Sequence, residues 1–207
     1  MTTESSARVA AEGAIREDLA RGDHAAAATT TIRAYGAEVR AFLIATHRDV
    51  EDADEVFARF CEHVWRGIAS FEGGSSVRTW AYAIARNASR NYRRDAHVHR
   101  KRHAPLETSS ELSALIVAVR SETRPYMRTA AKDKLAAVRA ALDDDDRDLL
   151  VLRVDRGLEW KELARAMSET PLSDADVVRE SQRLRKRFQL LKDRLIELGR
   201  REGLIED

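Results

Sequence analysis

The sequence predicts an all-α protein made of two small helical domains joined by a linker, and three observations carry that prediction. Apolar residues recur at intervals of three and four through most of the chain, and no period-two alternation stands out. Only 3 prolines and 9 glycines interrupt the 207 residues, and 43% hydrophobic against 34% charged composition suits a soluble, helix-rich chain. The periodic stretches fall into two groups, separated by a mixed segment at 96–130 that contains Pro105 and Pro125.

Residues 1–24 form an N-terminal extension. Mild amphipathicity makes it either a short extra helix or a frayed tail, and it has no apolar signal core. The first domain is placed at 25–95. Ile32, Tyr35, Val39, Phe42 and Leu43 give one helix a buried stripe. After the charged break "HRDVEDADE", Ala53, Val56, Phe57, Phe60, Val64 and Ile68 repeat the period, with Asp52 a plausible cap near the start. "EGGSS" reads as a loop, and Ser75 or Ser76 is the candidate N-cap of the next helix. Within the linker at 96–130, "SALIVAV" predicts a short helix that docks on one domain.

The second domain is placed at 131–200. Leu135, Val138, Ala141 and Leu142 predict a helix. "DDDDR" opens the next, since acids suit a helix N-terminus. "RGLEWKELARAM" follows a glycine turn, "SETPLSDADV" is a polar connection, and Leu184, Phe188, Leu191, Leu195 and Leu198 stripe a final helix from about 174. The last two helices and their connection have the outline of a helix-turn-helix.

The stretch "SSVRTWAYAIARNASRNYRR" carries the most functional information. On a helical wheel Val77, Trp80, Ala81, Ile84 and Ala88 share one side, which seats the helix in a bundle. Tyr82, Arg86, Arg90 and Arg93 share the opposite arc, with Asn87 and Arg94 near an edge. Over 78–102, eight Arg and Lys residues face one acid, Asp95. Cations beside an aromatic ring on a rigid helix suit a nucleic-acid backbone and unpaired bases; a solvated arginine-rich face is the alternative. The preceding helix has the opposite bias. Asp49, Glu51, Asp52, Asp54 and Glu55 exceed what capping needs and suit either a basic partner or solvent. A second basic cluster, from Arg179, Arg183 and Lys186 to Arg201, lies along the last helix, where its first members would reach bases or phosphates.

Enzyme chemistry finds no support. The chain has no Gly-rich phosphate loop, zinc-protease helix or serine elbow. No cofactor and no metal is expected: His97, His99 and His103 sit among basic residues that would repel a cation. The one cysteine, Cys61, lies beside an apolar stripe and reads as a core residue, so no disulfide forms and a reducing compartment fits. No apolar run approaches the ~20 residues of a membrane span, so no membrane insertion and a cytoplasmic location are expected.

Two stretches carry a family resemblance. "DVEDADEVFARFCEHVWRGIASFEGGSSVRTWAYAIARNASRNYRR" resembles region 2 of bacterial RNA polymerase sigma factors of the sigma-70 family, and the compact extracytoplasmic-function (ECF) type in particular. "LDDDDRDLLVLRVDRGLEWKELARAM" and "RLRKRFQLLKDRL" resemble region 4. The resemblance implies a promoter-specificity subunit that binds core polymerase. Asp52, Asp54, Glu55 and Arg59 would meet the clamp coiled coil of the largest subunit. Tyr82, Arg86, Asn87, Arg90, Arg93 and Arg94 would meet the melted −10 element, one base flipping into a pocket at the "FEGGSSV" loop. Arg179, Arg183 and Lys186 would meet duplex −35 DNA, while the domain that carries them touches the flap of the second-largest subunit. A repressive anti-sigma factor is a further implied partner. The connection at 168–178 is longer than the family's, and Asp174 and Asp176 stand where phosphates would approach. The competing functions are a stand-alone helix-turn-helix regulator and an interaction scaffold with acidic protein partners.

Overall fold

The computed structural model describes residues 2–47, 49–98, 110–122 and 138–201. Every regular element among them is helical, and the helices group into two small domains. Helix α1 (Thr2–Ala20) leads through a turn at Gly22 into α2 (His24–Thr46), whose N-terminus is capped by the Asp23 carboxylate at 3.0 Å from the Ala26 N–H. Helix α3 (Val50–Gly67) starts at Asp49, which accepts the Glu51 N–H at 2.8 Å, so Asp49 rather than Asp52 is the cap. A 3₁₀ turn (Ile68–Ser70) and the glycine loop lead to α4 (Val77–Val98).

The core of this bundle is the predicted stripes. Ile32, Tyr35, Val39, Phe42 and Leu43 of α2 meet Val56, Phe57, Phe60 and Val64 of α3, and Val77, Ala81 and Ala85 of α4. Cys61 is fully buried here, and burial pushes its thiol up, which leaves it an inert apolar residue. Trp80 packs at the edge of this core against Phe71, ring centroids 5.4 Å apart.

Two further helices complete the N-terminal domain. Helix α1 lies on α2 and buries Ile15. Helix α5 (Ser110–Glu122) docks on α2 and α3 through Leu112, Leu115, Ile116 and Val119. Gly36 makes that approach possible: a Cβ there would stand 3.1 Å from Val119 Cγ1.

The N-terminus of α4 is closed by residues far apart in sequence. Ser76 Oγ accepts the Thr79 N–H at 3.1 Å, so Ser76 is the N-cap. Glu12 of α1 accepts the Val77 and Arg78 N–H groups, each at 3.0 Å, and the Tyr35 hydroxyl at 2.9 Å. With the Trp80 N–H on Ser76 O, all four donors of the first turn are satisfied. The extension at 1–24 thus anchors the helix that carries the arginines.

The C-terminal domain begins among the described residues with a helical end at 138–140; Leu135 lies outside them. Helix α6 (Asp144–Leu150) is capped by Asp143, which accepts the Asp146 N–H at 2.7 Å, and runs on as a π turn (Val151–Asp155). Gly157, at φ +68°, turns the chain into α7 (Trp160–Met167). After six residues α8 (Asp174–Arg201) begins. Leu149, Leu152, Leu158, Leu163, Val177, Leu184 and Leu191 form the core, and Trp160 packs edge-on against Phe188. The longer connection noted in the sequence is partly absorbed into α8. Ser173 accepts the Asp176 N–H at 3.2 Å, so the acids that looked misplaced lie in the capped first turn.

Candidate nucleic-acid interface

Helix α4 presents the predicted arc as one coherent face, and that face lies against the C-terminal domain. The wheel placed Tyr82 and Arg86 toward solvent. In the folded chain the Tyr82 ring is fully buried, edge-on to Phe42 with Arg78 over it at 5.2 Å, and Arg86 is 3% exposed. A wheel separates two faces of a helix; it does not say which is wet. Burial also holds the Tyr82 phenol above its usual range, so it is neutral.

Each arginine of the arc has a carboxylate from the other domain. Arg86 reaches Asp145 at 2.5 Å and Asp148 at 3.3 Å, and donates to the Met167 carbonyl at 2.7 Å. Arg90 pairs with Glu169. Arg93 lies 3.7 Å from Asp144 and 3.6 Å from Asp148. Arg78 bridges Glu38 of α2, at 2.7 Å, to the Arg156 carbonyl, at 2.8 Å. Arg147 of α6 reaches back to the Thr46 carbonyl at 3.2 Å. Asn87 is half-buried, and Arg94 is exposed with the Asn91 side chain as partner at 3.0 Å.

Asp148 is the most constrained acid. Its carboxylate is fully buried between Arg86 and Arg93, yet neither oxygen accepts a hydrogen bond. Burial outweighs the two guanidinium groups and pushes its pKa up to about 6. His47 at the end of α2 is moved the other way, down to about 4, first by burial and then by Arg93.

The acidic candidates on α3 form a second surface, tied to its own bundle. Asp54 holds Arg40 bidentately at 2.8 and 3.2 Å, and its carbonyl accepts from Arg120 of α5. Asp52 accepts the Tyr92 hydroxyl. Glu55 pairs with Arg59 at 3.2 Å, and Arg59 lies 5.2 Å over the Tyr92 ring. These acids therefore orient arginines and a tyrosine across α2, α4 and α5 as well as facing outward.

On α8 the basic candidates are open. Arg179 is 78% and Arg183 76% exposed; each pairs with an acid three residues back, Asp176 and Glu180, and Lys186 continues the same face. Asp144, Asp145, Asp148 and Glu169 went unassigned as partners of α4. The signal was present: four consecutive aspartates exceed one helix cap. Among the described residues no group of His, Cys, Asp and Glu could hold a metal ion, and no helix is long and apolar enough to cross a membrane. The side chains of His97, His99 and His103 lie outside the described residues.

An all-α chain with an arginine-faced helix beside an acidic one, followed by a helix-turn-helix, has the arrangement found in proteins that handle nucleic acid. Residues 31–98 match the model of the family Sigma-70 region 2. The chain is 27% identical over 164 residues, 78% of its length and 91% of the relative's, to RNA polymerase sigma factor YlaC of Bacillus subtilis (strain 168). Over residues 31–98 the chain is similar to region 2 of the sigma-70 family, and over most of its length to a sigma factor.

Proposed function

We propose that the protein is a dissociable sigma factor of the compact ECF type, which binds core polymerase in the cytoplasm and directs it to promoters. The observation that carries this reading is the juxtaposition on adjacent helices, within a matched region 2, of an acidic surface on α3 and an arginine arc on α4. In this reading residues 25–95 serve core and the −10 element, 96–130 link, and 131–200 serve the −35 element. Asp52, Asp54, Glu55 and Arg59 face the clamp. Arg86, Asn87, Arg90, Arg93 and Arg94 hold the displaced strand by its phosphates, and Tyr82, buried against Phe42 and Arg78, supports the helix that carries them. Arg179, Arg183 and Lys186, open on α8, contact duplex phosphates or base edges.

Holoenzyme reconstitution with a promoter library tests it. The expected result is tight association with core and initiation from a defined subset of promoters, with weak duplex binding by the free chain. Autonomous operator binding without core association would instead identify a stand-alone helix-turn-helix regulator. Charge reversal at Arg90 and Arg93 should impair promoter opening and spare core binding; reversal at Asp54 and Glu55 should impair core binding itself.

A further inference from the structure

We infer that Tyr92 is a positioning residue for the acidic surface of α3: from the last turns of α4, its hydroxyl fixes the Asp52 carboxylate and its ring carries the Arg59 guanidinium, so that both are held ready for a basic partner surface. The inference rests on the function proposed above, in which that partner is core polymerase.

The cluster is built from two helices. Asp52, Glu55 and Arg59 lie at i, i+3 and i+7 on one face of α3, and Tyr92 and Asp95 lie at i and i+3 on α4. Tyr92 stands at the centre. Its hydroxyl donates to Asp52 Oδ1 at 2.5 Å, and Arg59 lies 5.2 Å over its ring. Arg59 in turn holds Glu55 at 3.2 Å and lies 3.8 Å from Asp95. The His47 ring meets Tyr92 edge-on at 5.9 Å, with its Nε2 2.8 Å from Ser89 Oγ. Tyr92 is only 9% exposed, whereas Asp52, Glu55 and Arg59 each keep part of their surface in solvent. The buried residue orients, and the half-exposed ones face outward.

The first argument is the choice of donor. Asp54, two residues further on, is held by Arg40 through two bonds that offset its charge. Asp52 is held by a phenol instead. Burial and the bond to Asp52 push the Tyr92 pKa up to about 12, so the phenol stays protonated and neutral. A neutral donor fixes a carboxylate and leaves its negative charge intact for a cation from outside. For packing alone a phenylalanine would serve, since the ring is what fills the space.

The second argument is position. Asp52 lies in the first turn of α3, where helix ends fray and an untethered side chain samples several rotamers. Ordering such a side chain during binding weakens affinity, and a tether made beforehand removes that loss. Tyr92 also directly precedes Arg93, so the ring that sets the acidic surface belongs to the helix that carries the arginine arc.

The test is a double-mutant cycle on the full chain, read as affinity for purified core polymerase from the anisotropy of the labelled chain. Tyr92→Phe keeps the ring under Arg59 and removes the bond to Asp52. It should weaken core binding about fivefold. In the Asp52→Ala background the same change should have an effect below about twofold, since the group it acts through is gone. Val64→Ala empties a buried position of α3 outside the cluster; it should lower the urea midpoint and leave core affinity within about twofold of wild type. An equal loss from Tyr92→Phe in both backgrounds, or a matching loss in Val64→Ala, would reduce Tyr92 to a packing residue and overturn the inference. So would a Tyr92→Phe chain that binds core as tightly as wild type; both outcomes leave the proposed function standing. If the wild-type chain itself fails to bind core, the proposed function falls, and this inference with it.

Discussion

Replacing Glu12 should destabilise a helix that begins 65 residues later. Its carboxylate accepts the Val77 and Arg78 N–H groups and the Tyr35 hydroxyl, and both amides belong to residues buried in the bundle. Hydrogen bonds to a charged acceptor contribute about 1.5–3 kcal/mol each, and a buried donor left unmade costs about 1–3 kcal/mol. The three bonds share one group, so their losses do not add. Glu12→Ala should therefore lower stability by about 3 kcal/mol. For a chain of this size that is a fall in Tm of roughly 6–12 °C. Glu12→Gln keeps one oxygen but turns an amide N–H₂ toward one of the two backbone donors, and should lose about half as much. Urea denaturation measures both variants, and hydrogen exchange at the Val77 and Arg78 amides localises the effect. An unchanged urea midpoint for Glu12→Ala, with both amides still protected, would refute the assignment of Glu12 as the cap.

Other substitutions probe the rest of the fold and the site. Phe57→Ala empties a fully buried position stacked on Phe60 and should cost about 3–5 kcal/mol by the same denaturation measurement. Gly157→Ala forces a side chain into φ +68° and should destabilise the C-terminal domain by about 1–2 kcal/mol, read from its urea transition. The raised Asp148 pKa means the folded chain takes up a proton between about pH 6 and 4 that the unfolded chain, with its ordinary carboxyl, does not. That contribution to stability grows on acidification through this window and is lost as pH rises through 6. His47, held near 4 among Arg93, Arg147, Asp52 and Asp144, opposes it, because the unfolded imidazole protonates first. Asp148→Asn should thus make stability fall more steeply from pH 6.5 to 4 than in wild type, as followed by urea midpoints across that range. In reconstituted holoenzyme, Arg179→Ala should weaken promoter binding and lower the slope of log K against log salt by about 1 if Arg179 contacts a phosphate.

Much of this architecture was legible in the residue pattern. The stripes Ile32–Leu43 and Val56–Val64 are buried as their periods require, since a 3.6-residue repeat leaves few ways to cover apolar surface. Ser76 was legible as a cap because Ser, Thr, Asp and Asn compete for first-turn amides at close range. Glu12 was not: a carboxylate that caps a helix from another element leaves no fixed spacing to read. For the same reason α1 read equally as an extra helix or a frayed tail, although Ile15 is wholly buried against α2.

The arc of α4 shows how composition and contact part company. Its arginines were legible as a surface for anions, and anions are what they meet; which anions, sequence could not say. A helical wheel records angular position only. An arginine facing phosphate, one facing solvent and one facing an aspartate of another domain are identical on it. The deciding signal lay 60 residues on, in a run of aspartates that one cap could not use up. Long-range charge pairing of this kind becomes readable only as a mismatch, an excess of acid at one helix end set against an excess of base on another helix face. Here the aspartates at 143–146 read as a helix start and the arginines of α4 as a nucleic-acid face, because nothing in one dimension makes them neighbours. The fold makes them neighbours: Arg86, Arg90 and Arg93 meet Asp144, Asp145, Asp148 and Glu169, and each guanidinium that sequence leaves without a partner finds one across the domain boundary.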